Sequence, residues 1–316
     1  MKLQGKNILV TGGVGFVGGH LVEKLLELKA NIIVVDITLD KKSYLFASGL
    51  HKKCRVIKLD ICDYKKLSTL IKKNKIDFIF HLAAQALVAE AYKKPKHTLE
   101  NNIISTINIL EAVRTIPQIK GVIVASSDKC YGKLNKKKYV ETDPLSGDHP
   151  YDTSKSATDL ICSTYYSTYK TPVVITRFGN IYGEGDSNFS RIIPGVMKSI
   201  VTKKPLEIRS NGKYIRDYLY VKDVVAGYIL LAVNIVAAKG QAYNFGSNDN
   251  LSVVEVIQTV EKAVKQKISY KILNTAANEI PYQSLNCSKI KKQFGWKQNY
   301  TIQNRALHIL NWYKKF

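Results

Sequence analysis

The sequence predicts an α/β fold, with a doubly wound parallel sheet followed by a smaller, partly interleaved C-terminal α/β domain. Short apolar strands alternate with helical patterns through the first 177 residues, as in chains of βαβ units. A glycine-rich turn joins the first strand to the first helix. After Arg177 the alternation gives way to a turn-rich segment and shorter elements. We therefore expect a first domain over residues 1–177 and a second over 178–316, with some segments of the second returning to the first sheet.

The composition is that of a globular protein. The 316 residues suffice for one enzyme-sized unit or two fused domains, and 45% of them are hydrophobic. No stretch approaches the roughly 20 apolar residues that a membrane helix needs. The N-terminus runs into a strand without an apolar signal segment. We therefore expect a cytoplasmic protein that does not associate with a membrane.

The net charge of +23 raises the question of nucleic-acid binding. Of the 48 basic residues only seven are Arg, and the Lys residues are spread singly and in pairs. Arg is the side chain that reads bases and phosphates by bidentate contacts. The pattern therefore favours a Lys-rich solvated surface and no nucleic-acid partner, although such a surface still attracts anionic small molecules.

The five cysteines form neither a disulfide pattern nor a metal pattern. They stand at positions 54, 62, 130, 162 and 287, without a Cys-x-x-Cys pair. No His lies at metal-ligand spacing from them. We therefore expect reduced thiols and no bound metal.

The first strand and turn carry a nucleotide-binding pattern. The apolar run 7–11 precedes Gly12, Gly15 and Gly18, and a helical pattern follows. Gly12 permits a tight turn, Gly15 lets a pyrophosphate approach the backbone, and Gly18 lets the helix lie close to the strand. The next strand ends in Asp36, 21 residues after Gly15, where an acid bonds the adenosine ribose. A glycine turn without a ligand is the weaker interpretation, so we expect a Rossmann fold that binds NAD, because Asp36 would repel the 2′-phosphate of NADP.

The alternation continues and places polar or small residues at strand ends. The expected strands are 55–59, 76–82, 121–125 and 172–176, and the expected helices are 64–74, 97–116 and 151–169. Asp60, Ala83 and Ser127 follow three of these strands, at the edge of a parallel sheet where ligands bind. His81 is interpreted as a packed strand residue. In the second domain, the expected helices lie near 189–203, 221–237, 252–266 and 302–314, and the extended segments near 206–220 and 241–246.

A dense set of titratable residues lies between Ser126 and Lys155. Tyr151 and Lys155 are four residues apart in a helical pattern, so they project from the same face. A nearby Lys⁺ lowers the pKa of a phenol, which makes Tyr a usable general base. Ser127, after the preceding strand, would share the substrate hydroxyl's proton. Such a set can remove a hydroxyl proton while a hydride leaves the same carbon for NAD, although Tyr and Lys at this spacing also occur on ordinary helices.

Several ordered motifs make the chain resemble a known family. They are Thr11-Gly-Gly-Val-Gly-Phe-Val-Gly18, His81-Leu-Ala-Ala84, Tyr151 with Lys155, Arg177 with Asn180, Arg216-Asp-Tyr-Leu-Tyr-Val-Lys-Asp223, Phe294-Gly-Trp296 and Trp312-Tyr313. Over nearly its whole length the chain resembles the extended short-chain dehydrogenases/reductases that act on nucleotide sugars. The resemblance implies a homodimer paired through helices near 97–116 and 151–169. The expected cofactor contacts are Gly12, Gly15, Phe16, Val17, Gly18, Asp36, Asp60, Ile61, Leu82, Ala83, Ala84, Asn102, Tyr151 and Lys155.

Within this family, the two residues after Ser127 suggest the reaction. Ser127-Asp128-Lys129-Cys130-Tyr131 resembles the CDP-glucose 4,6-dehydratases, and the inverting UDP-N-acetylglucosamine 4,6-dehydratases also carry Asp-Lys. The resemblance implies that Asp128 is the acid and Lys129 the base of a water elimination that yields a 4-keto-6-deoxy sugar. The alternative for Lys129 is that it only pairs with Asp128 or with phosphate.

Two other functions stay open at this point. Segments 143–160 and 177–194 resemble a more general epimerase/dehydratase branch, so a nucleotide-sugar C4 epimerase or reductase is the alternative. A non-catalytic NAD-binding or nucleic-acid-binding protein is a third hypothesis, which the Ser-Tyr-Lys set disfavours. The expected diphosphate contacts are Asn180, Arg191, Arg209 and Arg216, because Arg binds phosphate bidentately. Each of them could instead be an ordinary surface partner.

Overall fold

A computed structural model of the chain describes residues 2–275 and 280–315. The chain divides into two compact units. The first unit contains the residues up to Leu134 together with Glu141–Arg177 and Val225–Asn244. The second contains Asn135–Val140, Phe178–Val224 and the described residues from Phe245 onward.

Strands and helices alternate through most of the chain. The strands are β1 (Asn7–Thr11), β2 (Asn31–Asp36), β3 (Arg55–Lys58), β4 (Phe78–His81), β5 (Val122–Ala125), β6 (Lys138–Tyr139), β7 (Val173–Phe178), β8 (Asn180–Tyr182), β9 (Leu206–Ile208), β10 (Ile215–Tyr220), β11 (Ala242–Phe245), β12 (Asn250–Ser252), β13 (Tyr270–Ile272) and β14 (Tyr282–Leu285). The helices are α1 (Phe16–Glu27), α2 (Tyr44–Ala47), α3 (Tyr64–Lys73), α4 (Val88–Lys93), α5 (Pro95–Thr115), α6 (Pro150–Tyr169), α7 (Ile192–Thr202), α8 (Val221–Val233), α9 (Ile235–Ala238), α10 (Val253–Val264), α11 (Ser288–Phe294) and α12 (Ile302–Tyr313). Short 3₁₀ turns span Leu50–Lys53 and Asp128–Tyr131.

The large sheet has the strand order of a doubly wound fold. Within the described residues it contains seven strands in the order β11-β7-β5-β4-β1-β2-β3. The pairings from β7 through to β3 are parallel. The order reverses between β1 and β4, which is the switch point where ligands bind in such sheets. The predicted Rossmann fold is confirmed.

Buried apolar side chains cover both faces of the large sheet. On β4, Ile79 joins a cluster with Ile109 and Leu110 of α5, while Phe80 points to the opposite face because strand side chains alternate. There Phe80 meets Tyr228 of α8 edge-to-face, with ring centroids 6.3 Å apart. Each such buried side chain contributes about 1.5–3 kcal/mol relative to exposure. Central strands that are buried on both faces read as continuous apolar runs, which is why the sequence predicted them.

The second unit has sheets of its own. One has the order β12-β10-β14-β6, with β8 also paired to β10, and another pairs β9 with β13. Residues 135–140 were expected in the first domain, but β6 pairs with β14 and belongs to the second unit. A two-residue strand has no periodicity of its own, so only its pairing with β14 shows to which unit it belongs. Among the described residues, no helix is both long and apolar enough to cross a membrane.

Several helices differ from the sequence expectations. The helix expected at 97–116 begins two residues earlier, because Pro95 occupies its first turn, where a missing N–H costs nothing. The helix expected at 221–237 divides into α8 and α9 at Asn234. The short helices α2 and α4 were not predicted, since one turn or so is too short to show a 3.6-residue period.

Candidate active site

The glycine-rich turn after β1 lies directly against the turn after β4. Gly12 has a φ of +70°, and a Cβ placed on it would lie 2.7 Å from the backbone nitrogen of Ala83. A Cβ on Gly18 would collide with the carbonyl oxygen of Gly12. Helix α1 begins at Phe16, immediately after Gly15. The turn therefore fits a dinucleotide pyrophosphate, which needs close backbone approach and the positive end of a helix.

Asp36, the last residue of β2, is held beside this turn. Its carboxylate accepts hydrogen bonds from the backbone N–H groups of Val14 (3.1 Å) and Thr38 (3.3 Å). Burial raises the pKa of the Asp36 carboxyl, and these backbone donors oppose the shift. A carboxylate has further lone pairs that can accept from the hydroxyls of a ribose.

The other predicted cofactor residues follow β3 and β4. Asp60 is exposed and accepts from the N–H of Cys62 at 2.8 Å, while Ile61 is buried. Leu82, Ala83 and Ala84 are partly buried and continue from the end of β4. These segments leave the carboxyl ends of neighbouring strands on either side of β1 and β2, as a site at the switch point requires.

Asn102 on α5 is a bridging residue. Its buried side chain accepts from the N–H of Gln85 at 2.7 Å and donates to the carbonyl of Gln85 at 3.1 Å. It also donates to the hydroxyl of Ser154 at 2.9 Å, and Ser154 donates to the carbonyl of Tyr151 at 2.7 Å. These bonds tie the loop after β4 to the first turn of α6. The cofactor contact expected from Asn102 stays a prediction.

His81 is packed inside the first unit. Its ring nitrogens lie 2.8 Å from the hydroxyl of Thr11 and 3.3 Å from that of Thr106. Burial, with a smaller contribution from the charge of Lys155, lowers the pKa of His81 to about 3. His81 is therefore neutral at physiological pH, and its interpretation as a packed strand residue is confirmed.

Lys155 and Tyr151 lie on one face of α6. The Nζ atom of Lys155 donates a 2.8 Å hydrogen bond to the carbonyl of Ala125, at the end of β5. It lies 6.0 Å from the centroid of the Tyr151 ring, which is half-buried. Burial lowers the pKa of Lys155 to about 8, although the negative charge of Asp159 opposes the shift. The predicted juxtaposition of a phenol and a buried amine is present.

Ser127, Asp128 and Lys129 form a compact hydrogen-bonded set at the end of β5. The Ser127 hydroxyl donates to Asp128 Oδ1 at 3.0 Å and accepts from the backbone N–H of Lys129 at 3.2 Å. Lys129 Nζ lies 3.3 Å from Asp128 Oδ2. Asp128 is buried, whereas the Lys129 side chain is 22% exposed. The contact is an ion pair between neighbouring residues of the same short turn.

A buried polar network, not predicted from the sequence, lies behind this set. Asp159, on α6, accepts from Nε (2.8 Å) and Nη2 (2.6 Å) of Arg177 and also from the hydroxyl of Ser126. Arg177 Nη1 donates to the Tyr131 hydroxyl at 2.6 Å, which in turn donates to Asn244 at 2.7 Å. All five residues are buried. The sequence offered one indication of this network. Asp159 lies one turn after Lys155, on a helix face that is otherwise packed.

The four predicted diphosphate contacts lie in the second unit. Asn180 begins β8 and is exposed, and Arg216 on β10 is half-buried, with Nη1 bonded to the Ile215 carbonyl at 2.9 Å. Arg191 pairs with the buried Asp186 at 3.0 Å. Arg209 donates to the Ser190 carbonyl at 3.3 Å. In this structure Arg191 is therefore an ion-pair partner of Asp186, which is the alternative role that the sequence left open for it.

Comparisons with known proteins agree with this geometry. The family model described as GDP-mannose 4,6 dehydratase matches residues 9–306. A CDP-glucose 4,6-dehydratase of Salmonella typhimurium is 31% identical, with the alignment covering 98% of this chain and 91% of that protein.

Two solved structures extend the likeness to three dimensions. A dTDP-glucose 4,6-dehydratase of Bacillus anthracis in complex with NAD superposes with a TM-score of 0.85 at 28% identity, covering 98% of this chain and 97% of that one. A UDP-glucose 4-epimerase of Thermotoga maritima with UDP-glucose gives a TM-score of 0.87 at 25% identity, covering 98% and 99%. The chain therefore belongs to the GDP-mannose 4,6 dehydratase family, within the extended short-chain dehydrogenases/reductases that include dehydratases and epimerases of nucleotide sugars.

Proposed function

We propose that this protein is an NAD-dependent nucleotide-sugar 4,6-dehydratase with a CDP-glucose-like substrate. It would convert an NDP-hexose to an NDP-4-keto-6-deoxyhexose by oxidation at C4, elimination of water across C5 and C6, and reduction at C6. The observation that carries the proposal is the Asp128–Lys129 pair, held 3.3 Å apart beside Ser127 in the unit that also contains Tyr151 and Lys155. An oxidation alone needs no such second acid–base pair.

The glycine turn and Asp36 fit NAD as the cofactor. Gly12 and Gly18 leave room that any Cβ would fill. Asp36, held beside this turn by the N–H of Val14, would accept from a ribose. Ala83 and Ala84 would line the same site with small side chains. The chemistry that bound NAD supplies is reversible hydride acceptance.

The oxidation at C4 is assigned to Ser127, Tyr151 and Lys155. Tyr151 removes the proton of the C4 hydroxyl, and Ser127 orients that hydroxyl by a shared hydrogen bond. Lys155, anchored to Ala125, places a positive charge near the phenol and stabilises its ionised form.

The elimination is assigned to Asp128 and Lys129. Oxidation at C4 makes the C5 proton acidic, so a base can remove it while an acid protonates the leaving C6 hydroxyl. In the resting ion pair both groups have the wrong protonation state for these roles. One proton moving from Lys129 to Asp128 across their contact produces the acid and the base together, without a change in net charge. The amine then takes the C5 proton, the carboxylic acid gives its proton to the leaving hydroxyl, and Lys129 later returns a proton to C5. The pair is then one proton short, and the proton that Tyr151 removed from the C4 hydroxyl restores it through solvent.

The second unit and the helices α5 and α6 are assigned supporting roles. Asn180, Arg191, Arg209 and Arg216 would hold the diphosphate, with Arg216 the strongest candidate because it lies in a family motif. We also propose a homodimer through α5 and α6, on which Ile104 and Leu160 are 41% and 57% exposed. Large exposed apolar side chains on neighbouring helices suit a protein interface.

A C4 epimerase is the second candidate function. The likeness to the Thermotoga maritima epimerase favours it. In that case Asp128 and Lys129 would only contact the substrate. The two functions differ in chemistry at C5, since dehydration exchanges the C5 proton with solvent and simple C4 epimerisation does not.

The test is a panel of CDP-, dTDP-, UDP- and GDP-hexoses incubated with protein and NAD in deuterated water. A dehydratase produces a 4-keto sugar that has lost one water and carries deuterium at C5, both visible by mass spectrometry. Asp128→Asn and Lys129→Gln should still oxidise C4 but lose the elimination, while Lys133→Gln, at an exposed position, should behave as wild type. An inverted C4 with no loss of water would establish the epimerase instead.

A further inference from the structure

Three side chains of the kinds that bind metal ions meet at the start of α6. Asp148 and His149 precede the helix, and Asp152 lies in its first turn. One ligand atom from each, a ring nitrogen or a carboxylate oxygen, lies within 4.8 Å of the other two. The expectation of no bound metal rested on the spacing of the cysteines, and none of these residues is a cysteine. The proposed oxidation and elimination leave all three unused.

Asp152 is buried with one carboxylate oxygen unpaired. Its side chain is 2% exposed, and its Oδ1 atom has no hydrogen-bond partner among the described residues. The Nδ1 atom of His149 is also buried without a partner in that part of the chain. Burying a carboxylate with an unpaired oxygen is costly unless another group offsets it. A bound cation would offset that cost.

The charges around Asp152 favour a cation. The Lys129 ammonium acts on Asp152, but the carboxylates of Asp128 and Asp148 act on it as well. Lys129 itself is paired with Asp128. In the described part of the chain, no Lys or Arg forms an ion pair with Asp148 or Asp152. A cation at the cluster would therefore meet two carboxylates that no Lys or Arg contacts.

The loop that carries the cluster is pinned to the helix. Gly147 lies against the backbone of Asp152, where a Cβ would collide. The Thr153 hydroxyl donates to the Gly147 carbonyl at 3.0 Å, and the Gly147 N–H donates to Ser156 at 3.1 Å. The Thr153 N–H also donates to the carbonyl of His149 at 2.8 Å. Ligands that are held in place in this way lose little conformational freedom when an ion binds.

The spacing of the ligand atoms suits one small divalent ion. Nitrogen and oxygen ligands lie about 2.0–2.2 Å from an ion such as Zn²⁺, so two ligands of one ion are about 3–3.5 Å apart. His149 Nε2 and Asp152 Oδ2 are 3.1 Å apart. Asp148 is exposed, so a rotation of its side chain can close the remaining distance. Imidazole suits zinc and carboxylate suits manganese, so the mixed set fits either ion.

We propose that Asp148, His149 and Asp152 bind one divalent transition-metal ion of the Mn²⁺ or Zn²⁺ type. Each residue supplies one ligand atom, and water completes the coordination. The ion joins the loop before α6 to the first turn of that helix, and Tyr151 lies in this turn. It is a structural ion that takes no part in the reaction, so the inference does not depend on the proposed function.

The experiment titrates the purified, chelator-treated full chain with Mn²⁺. Calorimetry should show one ion per chain, and a hundredfold excess over Kd should raise the midpoint of thermal unfolding by about 5 °C. Asp152→Asn and His149→Gln each remove a ligand and should weaken binding about tenfold or more, because even the loss of a group that orients a ligand costs about 10–100-fold.

The matched controls are His97→Gln and Glu100→Gln. These residues form an exposed imidazole and carboxylate about one turn apart on α5, without the burial of Asp152. Both variants should bind Mn²⁺ as tightly as wild type.

A measurement on wild type alone covers the case in which a variant fails to fold. Mn²⁺ is paramagnetic and broadens the NMR signals of protons near it. Substoichiometric Mn²⁺ should therefore broaden the ring signals of His149, assigned through the backbone, before those of His97.

Three results would overturn the inference. One is that neither Mn²⁺ nor Zn²⁺ binds at millimolar concentration. Another is unchanged affinity in a folded Asp152→Asn variant. The third is equal broadening of His149 and His97, which would show adventitious binding at exposed side chains. In each case His149 and Asp152 form an ordinary ion pair. Because no readout uses a nucleotide sugar, a failure of the proposed dehydratase would leave the inference standing.

Discussion

The Nζ atom of Lys155 lies 2.8 Å from the carbonyl oxygen of Ala125 and donates a hydrogen bond to it. Ala125 is the last residue of β5, and Lys155 lies on the second turn of α6. This bond brings the helix that carries Tyr151 to the strand end that carries Ser127. The two halves of the proposed oxidation site are therefore joined by a side chain that belongs to the site itself.

Lys155→Met should change how stability depends on pH. The folded-state pKa of Lys155 is about 8, below the ordinary value of 10.5, so the folded state holds fewer protons than the unfolded state between these values. Stability therefore rises with pH across this window in wild type. Relative to Lys155→Met, the free energy of unfolding should gain about 3 kcal/mol between pH 8 and pH 10.5. Urea unfolding at several pH values measures this gain, and Lys120→Met, at an exposed position, is the control. If the free energies of unfolding of wild type and Lys155→Met change with pH in parallel, the expectation is contradicted.

Tyr151→Phe should abolish the oxidation without unfolding the protein. The phenol is the proposed general base, and such a group typically contributes 10²–10⁴-fold to the rate, so kcat should fall at least about 100-fold. Binding of NAD, measured by calorimetry, should change little because the ring remains. Tyr169→Phe, at a 54% exposed position on the same helix, should keep full activity. Activity within tenfold of wild type would remove Tyr151 from its proposed role.

Gly12→Ala and Gly49→Ala should separate backbone strain from close packing. Both glycines have a φ of +70°, but a Cβ on Gly49 meets nothing within 4 Å, whereas on Gly12 it lies 2.7 Å from Ala83. Gly49→Ala should cost about 1 kcal/mol for the left-handed conformation alone. Gly12→Ala should cost clearly more and should also weaken NAD binding. Chemical unfolding and calorimetry measure the two effects, and equal costs would show that the contact with Ala83 is unimportant.

Asp159→Asn should be strongly destabilising. It would leave the buried Arg177 guanidinium without its carboxylate, and breaking a buried ion pair in this way costs about 3–5 kcal/mol. Glu111→Gln removes the carboxylate of a solvent-exposed pair with Arg114 and should cost about 1 kcal/mol or less. Denaturant unfolding at neutral pH compares the two. A small loss in Asp159→Asn would mean that water or Tyr131 compensates Arg177.

Asp36→Asn should relax the choice of cofactor. The carboxylate is proposed to accept from the adenosine ribose of NAD and to repel the 2′-phosphate of NADP. Removing the charge should shift the ratio of NAD to NADP affinity toward NADP by about tenfold or more, equivalent to about 1.4 kcal/mol. Calorimetric titration with both cofactors measures the ratio. Asp40→Asn, an exposed acid nearby, should leave it unchanged.

Local patterns in the sequence were enough to predict the large sheet and much of its ligand edge. The spacing of Gly12, Gly15 and Gly18 between a strand and a helix has few structural solutions, because only glycine tolerates these close contacts. Tyr151 and Lys155 could be placed together because a helix brings residues four apart to one face. In both cases the residues concerned are near one another in the chain, so regular backbone geometry determines their relative positions.

Tertiary packing alone decided the polar contacts that join distant segments. It paired Asp159 with Arg177, assigned Asn102 to a bridge between Gln85 and Ser154, and placed β6 in the second unit. The sequence left open whether Lys129 acts as a base or only pairs with Asp128, and the fold places it in an ion pair with that residue. Such contacts depend on how whole elements pack, because a buried polar group takes whichever partner the packing leaves within hydrogen-bond distance. Composition and periodicity do not determine which partner that is.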